Sequence, residues 1–385
     1  MALSKIDVAN MLTGEVPNAN VANLPASKLE NDINFRNIII NGDMSIAQRG
    51  TSATAFASTY STVDRFSFDE NLGTGVATSE QETLTSGGAY DAGFRTAAKI
   101  SCTTADASPS AGERAYMQQS IEAQNLQQLN YGSSSAKTIT LSFWAKSNMT
   151  GNFPVTIKKD DNTIYYIVHS FNISSANTWQ KFTFTITSPP TSGSTINNDN
   201  GRGMQIFWGL YWGSNYTGSY GGTPTWTTTS NDFADSDVTY NNFFSSTSNN
   251  LSITGVQLEI GTAASDFEFL PHDVNKKRCE RYYQNSFDVG NIPGTSTSDN
   301  DSELTTSWTD GNAPFPNPFK TEMRAAPTVT FRSRGQTTTG EIANGGTDRS
   351  ASAYQVSNKG VGYINVSSGT GGQYNAMTYE LSAEL

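Results

Sequence analysis

The side chains that carry most enzyme chemistry are scarce in this chain. Its 385 residues include two histidines, His169 and His272, and two cysteines, Cys102 and Cys279. The H-E-x-x-H and C-x-x-C spacings that hold zinc are absent, as is the G-x-S-x-G of serine hydrolases. His169 falls in "YYIVHSF", a strand-like run where a packed or edge histidine is the ordinary outcome. The two cysteines read as separate reduced thiols, because a disulfide scaffold would be denser. Two carboxylates suffice for glycoside cleavage, and Asp64, Asp69, Glu70, Asp232 and Asp235 are the candidates. Acidic loop residues more often form turns and solubilise, so no catalytic residue is assigned. The turns "KKDDN", "NNDN" and "TSDNDSE" have the oxygen donors for calcium. None has EF-hand spacing, and Lys158-Lys159 opposes a cation at the first. No cofactor is expected; calcium stays open.

Aromatic rings are the abundant resource. "QIFWGLYWGSNYTGSYGGTPTW", residues 205–226, holds seven in twenty-two positions. Alternation places Met204, Ile206, Trp208, Leu210 and Trp212 on one face of a strand, and Phe207 and Tyr211 on the other. Trp208 reads as core. Beyond Trp212 the period is lost and Gly recurs, so Tyr216, Tyr220 and Trp226 belong to a long loop. Tyr and Trp among Ser, Gly and Asn give contact area at low entropic cost, and apolar sugar faces stack on such rings. Tyr211, Trp212, Tyr216, Tyr220 and Trp226 are therefore the candidate carbohydrate-binding residues. The competing reading has the loop rings capping a sandwich end or filling an interface between copies.

The elements that position these rings read as strands. Charged residues are only 15 %, with Ser, Thr, Asn and Gly covering the surface, which suits short strands and turns better than helices. "TITLSFWAK" and "WQKFTFTIT" alternate with period two; "PVTIKKDDNTIYYIVHSF" is a hairpin turning at residues 160–162. "NLSITGVQLEIG" switches phase between Ile253 and Val256, so Gly255 marks a β-bulge. Its expected partner is a strand at "RNIIINGDM", closing a jelly-roll sandwich. "ERAYMQQSIEAQNLQQL" reads as a strand passing into a helical turn near Leu126. Residues 1–35 form an arm, 36–272 the jelly roll and 273–385 a smaller C-terminal β-sandwich. In the last, Val361, Tyr363 and Val366 are expected to face Val329, Phe331, Met377 and Tyr379. A net charge of −11 argues against nucleic-acid and anionic-membrane partners. Neither a signal peptide nor a membrane-spanning run is visible, so the chain is expected to be made in a cytosol.

Taken in order, "NIIINGDMSIAQRG", "YSTVDRFSF", "LSFWAKSNMTGNFPVTI", "ANTWQKFTFTI", "ITGVQLEIGTAASDFEFLP", "RCERYYQ" and "MRAAPTVTF" resemble phage tail-fibre and receptor-binding proteins. The leader "ALSKIDVANMLTGEVPNAN" is similar to N-termini of marine podovirus structural proteins. The resemblance implies a carbohydrate-binding-module-like jelly roll, a virion location, a homotrimer and host attachment through a surface glycan without catalysis. It also implies docking to a tail or capsid protein through residues 1–35. Such fibres usually have a long attachment domain and shaft, whereas about thirty-five residues precede the sandwich here, so tail and capsid stay open. The alternatives are a capsid-attached fibre or decoration protein and, from another class, a polysaccharide depolymerase.

Overall fold

The computed structural model describes residues 35–385 apart from 55–58, 288–290, 292, 294–301, 310 and 334–337. The expected arm therefore lies outside the described residues, except for Phe35. The first thirteen strands are β1 (Ser52–Thr54), β2 (Ser67–Asn71), β3 (Val76–Thr83), β4 (Thr96–Thr104), β5 (Arg114–Glu122), β6 (Ile139–Ser147), β7 (Gly151–Lys159), β8 (Tyr165–Ile173), β9 (Gln180–Ile186), β10 (Arg202–Trp212), β11 (Thr217–Gly218), β12 (Ala234–Asp235) and β13 (Asn250–Ile260). They build one six-stranded sheet, β1-β3-β4-β13-β6-β9, and one five-stranded sheet, β2-β5-β10-β7-β8. Every pairing within these two sheets is antiparallel, and the whole is a jelly-roll β-sandwich.

Period-two patterning explains the core. Ile139, Leu141 and Phe143 of β6 are fully buried against Ile206 and Trp208 of β10 and Ile253 and Leu258 of β13. The Trp208 ring meets Phe66 at 6.0 Å and Phe143 at 5.9 Å. Truncating such a ring to Ala costs roughly 3–5 kcal/mol. The β7–β8 hairpin and the passage from β5 into a 3-10 helix at Ala123–Leu129 match the sequence.

β13 is central and bulged, as its phase switch requires. Pairing with β6 shifts between Thr254 and Gln257, and Gly255 has φ +63°. The segment expected to pair with it as a strand does run alongside, but not as a strand. Ile38 N donates to Leu258 O and Val256 N to Gly42 O, both at 2.9 Å. The Asn37 side chain bridges Val256 O and Leu258 N at 3.1 Å each. Left-handed Asn41 and Met44 prevent a regular ladder. The approach is so close that a Cβ on Gly42 would lie 2.0 Å from Val256 O.

After a one-turn helix at Gly88–Asp91 (α1) no α-helix intervenes among the described residues until α2 (His272–Glu280), which leads into the C-terminal strands. These are β14 (Tyr283–Asn285), β15 (Glu303–Thr306), β16 (Thr328–Arg332), β17 (Glu341–Asn344), β18 (Thr347–Tyr354), β19 (Tyr363–Val366) and β20 (Tyr374–Ser382), with β20 pairing β14, β15, β16 and β17. Their core contains Phe331, Ile342, Ile364, Val366, Met377 and Tyr379. Val366 faces inward as expected, but Ile364, rather than Val361 or Tyr363, shares its face, because the strand begins only at Tyr363 and alternates from there.

Charged groups bind the two parts. The Arg65 and Arg49 guanidiniums lie 3.4 and 3.6 Å from the ring centroids of Tyr282 and Tyr283. Glu384 accepts from Arg49 at 3.1 Å and from Arg65. Burial opposes charge on Arg65, but Glu384 overrides it and the pKa rises. Arg281 makes a two-pronged contact with Glu122 at 2.7 and 2.9 Å.

Candidate functional site

The site begins with an irregularity in β10. Its pairing with β5 runs to Gly209–Tyr116, passes over Leu210, and resumes at Tyr211–Ala115. The extra residue is a bulge, and it reverses the alternation. Leu210 and Tyr211 pack on the sandwich core, whereas Trp212 joins Tyr116 and Phe207 on the outer face of the five-stranded sheet. The expected grouping of Trp212 with Leu210, and of Tyr211 with Phe207, is thus corrected. Gly209 was the available signal, because a Cβ there would lie 2.2 Å from Trp212 Nε1.

Trp212 is 9 % exposed. Nearly parallel rings take its two faces: Tyr116 at 4.8 Å and 15°, and Phe233 at 4.5 Å and 11°. Its edge, rather than a face, is what it can present to a ligand. Tyr116 in turn donates to Asp69 at 2.6 Å, and burial together with that carboxylate raises the phenol's pKa.

Within the loop from 213 to 249, Tyr216, Phe233, Ala234 and Tyr240 pack on this outer face, while Phe243 and Phe244 enter the sandwich core. Tyr216 Oη accepts from Arg114 at 2.7 Å. The Tyr220 hydroxyl donates to Asp232. Trp226 Nε1 donates to Thr187 O at 2.8 Å, and its ring meets Tyr165 edge-on at 6.5 Å. The Tyr211 hydroxyl donates to Pro109 O at 3.0 Å. Of the five ring residues singled out in the sequence, four have their polar handle engaged internally. Trp212 Nε1 is buried without an acceptor among the described residues.

Between loop and sheet lies a cavity of about 270 Å³. Tyr211 and Trp212 line it; Tyr216, Tyr220 and Trp226 do not. Pro154, Leu210 and Val238 supply apolar wall, while Asp235, Asn241 and Asn242 supply polar atoms. Asn241 Nδ2 is a second buried donor without an acceptor. The Trp212 N–H lies against Gly209, where a Cβ would be 2.2 Å from Nε1, and the Asn241 amide lies against Gly151, where a Cβ would be 3.2 Å from Nδ2. Trp208 Nε1, inside the apolar core, is also unpaired among the described residues. Asn241 was missed in the sequence, where an Asn among many in a polar loop has no distinguishing mark.

The carboxylates weighed for glycoside cleavage are all engaged. Asp235 Oδ1 accepts from the backbone of Tyr220 and Asp237 at 3.1 and 3.0 Å, and Oδ2 from Gly222 at 2.8 Å. Asp64 accepts from Gln48 N at 2.9 Å, and its burial raises its pKa. Glu70 accepts from Ala77 N at 3.1 Å.

At the first Asp-rich turn a lysine supplies the cation. Lys159 is fully buried, and its ammonium donates to the carbonyls of Asp161, Thr163 and Gly193. Desolvation lowers its pKa to about 8. Asp160 pairs with Lys158 at 2.6 Å and Arg202 at 3.2 Å. At the second, Asp199 closes its own turn onto Gly201 N at 2.8 Å. Most of the third falls outside the described residues. Among the described residues no three His, Cys, Asp or Glu gather as a metal site. A second ring group, not foreseen in the sequence, lies on the C-terminal strands. There Tyr363 stands 5.2 Å from Tyr354 and 6.1 Å from Trp308, both about half exposed.

No protein-family model and no curated protein matches the chain. Among solved structures it is similar to the enzymatically active domain of bacteriophage CBA120 tailspike protein 4, at 15 % identity and TM-score 0.29, covering 59 % of this chain and 22 % of that one. A putative sugar-binding protein from Bacteroides thetaiotaomicron overlaps at 13 % identity and TM-score 0.35, over 58 % of this chain and all of the other. A family 11 carbohydrate-binding module of a Clostridium thermocellum cellulase overlaps at 12 % and 0.27, over 55 % and 97 %. Likenesses this distant carry no argument about ligand or activity. The sandwich stands on its own strand pairing.

Proposed function

We propose that the protein is a virion fibre that recognises a host-surface glycan at the cavity beside Trp212, without cleaving it. The observation that carries this reading is a space of about 270 Å³ lined by the rings of Tyr211, Trp212 and Tyr240 together with Asp235, Asn241 and Asn242. One sugar residue fits such a volume, with rings to pack on and carboxylate and amide groups to meet its hydroxyls. Engagement of both Asp235 oxygens by backbone amides supports binding rather than general acid–base work. Virion location, a homotrimer and docking through residues 1–35 rest on the resemblance of the ordered segments to tail fibres.

A glycan array probed with the full chain and with Asn241→Leu tests the reading. Selective glycan binding by the wild type, lost in a variant of unchanged melting temperature, supports it. Absence of binding to any glycan, or release of new reducing ends from host polysaccharide, overturns it.

A further inference from the structure

We infer that the C-terminal strands carry a separate glycan-contact surface, where a neutral sugar chain lies on the rings of Trp308, Tyr354 and Tyr363. Binding there does not depend on the cavity beside Trp212. Tyr354 and Tyr363 are direct partners across β18 and β19. Ile364 and Val366 turn into the C-terminal core and Ala351 and Ala353 pack against it, so alternation sends Ser352, Tyr354, Tyr363 and Asn365 outward. The two tyrosine rings stack at 5.2 Å and 17°, and Trp308 continues the row 6.1 Å from Tyr363. Stacking fixes these rings without hiding them: Tyr354 is 48 % exposed and Trp308 46 %. Side chains already held in place lose less freedom when a ligand arrives.

The polar edges of these rings set them apart from the rings on the jelly roll. Tyr211, Tyr216, Tyr220 and Trp226 bond their polar atoms inside the fold. The hydroxyls of Tyr354 and Tyr363 and the indole N–H of Trp308 have no hydrogen-bond partner among the described residues. Such a row fits a ligand that is apolar on its faces and polar at its rim. A pyranose, with C–H faces and hydroxyl edges, has that character. Beside the row Asn365 donates to Asn312 at 2.9 Å, which leaves the Asn365 amide oxygen to accept. Charge narrows the class. Trp308, Asn312, Ser352, Tyr354, Tyr363 and Asn365 are all uncharged, so a charged ligand group meets no counter-charge on them. A net charge of −11 on the whole chain repels an acidic glycan. The complementary partner is therefore a neutral glycan, and a row of rings seats successive sugars, so affinity rises with chain length.

Calorimetric titration of the full chain with cello-, xylo-, manno- and malto-oligosaccharides of one to six sugars, and with oligogalacturonate, tests this surface. At least one neutral series is expected to bind, more tightly as it lengthens, and oligogalacturonate is not. Trp308→Ala and Tyr354→Ala should each weaken that binding about ten-fold, the worth of one ring's buried area, whereas Tyr354→Phe, which keeps the ring, should lose less. Ser352→Arg takes away no side-chain hydrogen bond and sets a long charged side chain beside the rings. It should block binding at an unchanged melting temperature. Asn241→Leu should leave this binding intact, whatever it does to glycans that the cavity selects, so the two sites fail separately. Binding by none of the neutral series overturns the inference, as does binding that Trp308→Ala, Tyr354→Ala and Ser352→Arg all leave unchanged. A changed sedimentation coefficient in the Ser352→Arg chain would make the ring row a contact between copies, and overturns it too.

Discussion

Replacing His169 by Phe should remove one step from the acid sensitivity of the fold. His169 lies on β8 in the inward-facing series Ile167, His169, Phe171, Ile173, with its ring 5.0 Å from Phe184 of the opposite sheet. It is 8 % exposed, and its Nε2 has no partner among the described residues. Desolvation therefore penalises the imidazolium and lowers the pKa from 6.5 to about 4. The unfolded chain takes up a proton near pH 6.5, while the folded chain holds out until about pH 4. Stability is fully present above pH 6.5 and is lost as pH falls through that window. A displacement of roughly 2.5 units, at 1.36 kcal/mol each, is worth about 3 kcal/mol. Urea titrations of wild type and His169→Phe at pH 7, 5.5 and 4.5 read the effect as a difference, so the carboxylates common to both cancel. The wild type should lose about 2–3 kcal/mol more than the variant between pH 7 and 4.5. Parallel pH profiles would show that the imidazole is solvated or protonated in the fold, and the reasoning would fail.

Other perturbations test the joints of the architecture. Gly42→Ala drives a methyl to 2.0 Å from Val256 O, so the segment must leave β13; a loss of several kcal/mol is expected in chemical denaturation. Glu384→Gln strands the buried Arg65 guanidinium and should cost about 3–5 kcal/mol, or release the C-terminal strands first, seen as a separate unfolding step. Lys159→Met removes the cation that gathers three carbonyls; a melting point lowered by several degrees is expected, with fast amide exchange over residues 160–163 and 193. Tyr220→Phe, which leaves Asp232 without its hydroxyl, should loosen the 213–249 loop in exchange measurements while the sandwich core keeps its protection.

Where inward and outward residues simply alternate, the sequence was sufficient. β6 and β9 have the faces their period-two patterns specify, and β7–β8 is the hairpin its turn residues indicate. The bulge in β13 was legible too, because the phase switch and Gly255 coincide. The bulge in β10 was not read, although Gly209 stands beside it: rings fill both faces there, so the alternation carried no contrast in polarity to lose. The opening Ile run was placed beside the right strand and given the wrong conformation. Its apolar residues state that it is buried, but not that left-handed turns and an Asn37 side chain would replace ladder bonds.

Local polarity period and turn chemistry thus determined an all-β chain, a sandwich, its central kinked strand and a ring-rich loop. These follow from interactions between residues near in sequence. Which ring keeps a free donor was decided only in three dimensions. Whether an indole N–H or a phenol oxygen finds a partner depends on the acceptors Thr187, Pro109 and Asp232 or the donor Arg114 arriving from elsewhere in the chain. Of five similar rings, four bond their polar atom within the fold and two line the cavity, Tyr211 doing both, because folding assigned their partners, and no local spacing encodes that assignment.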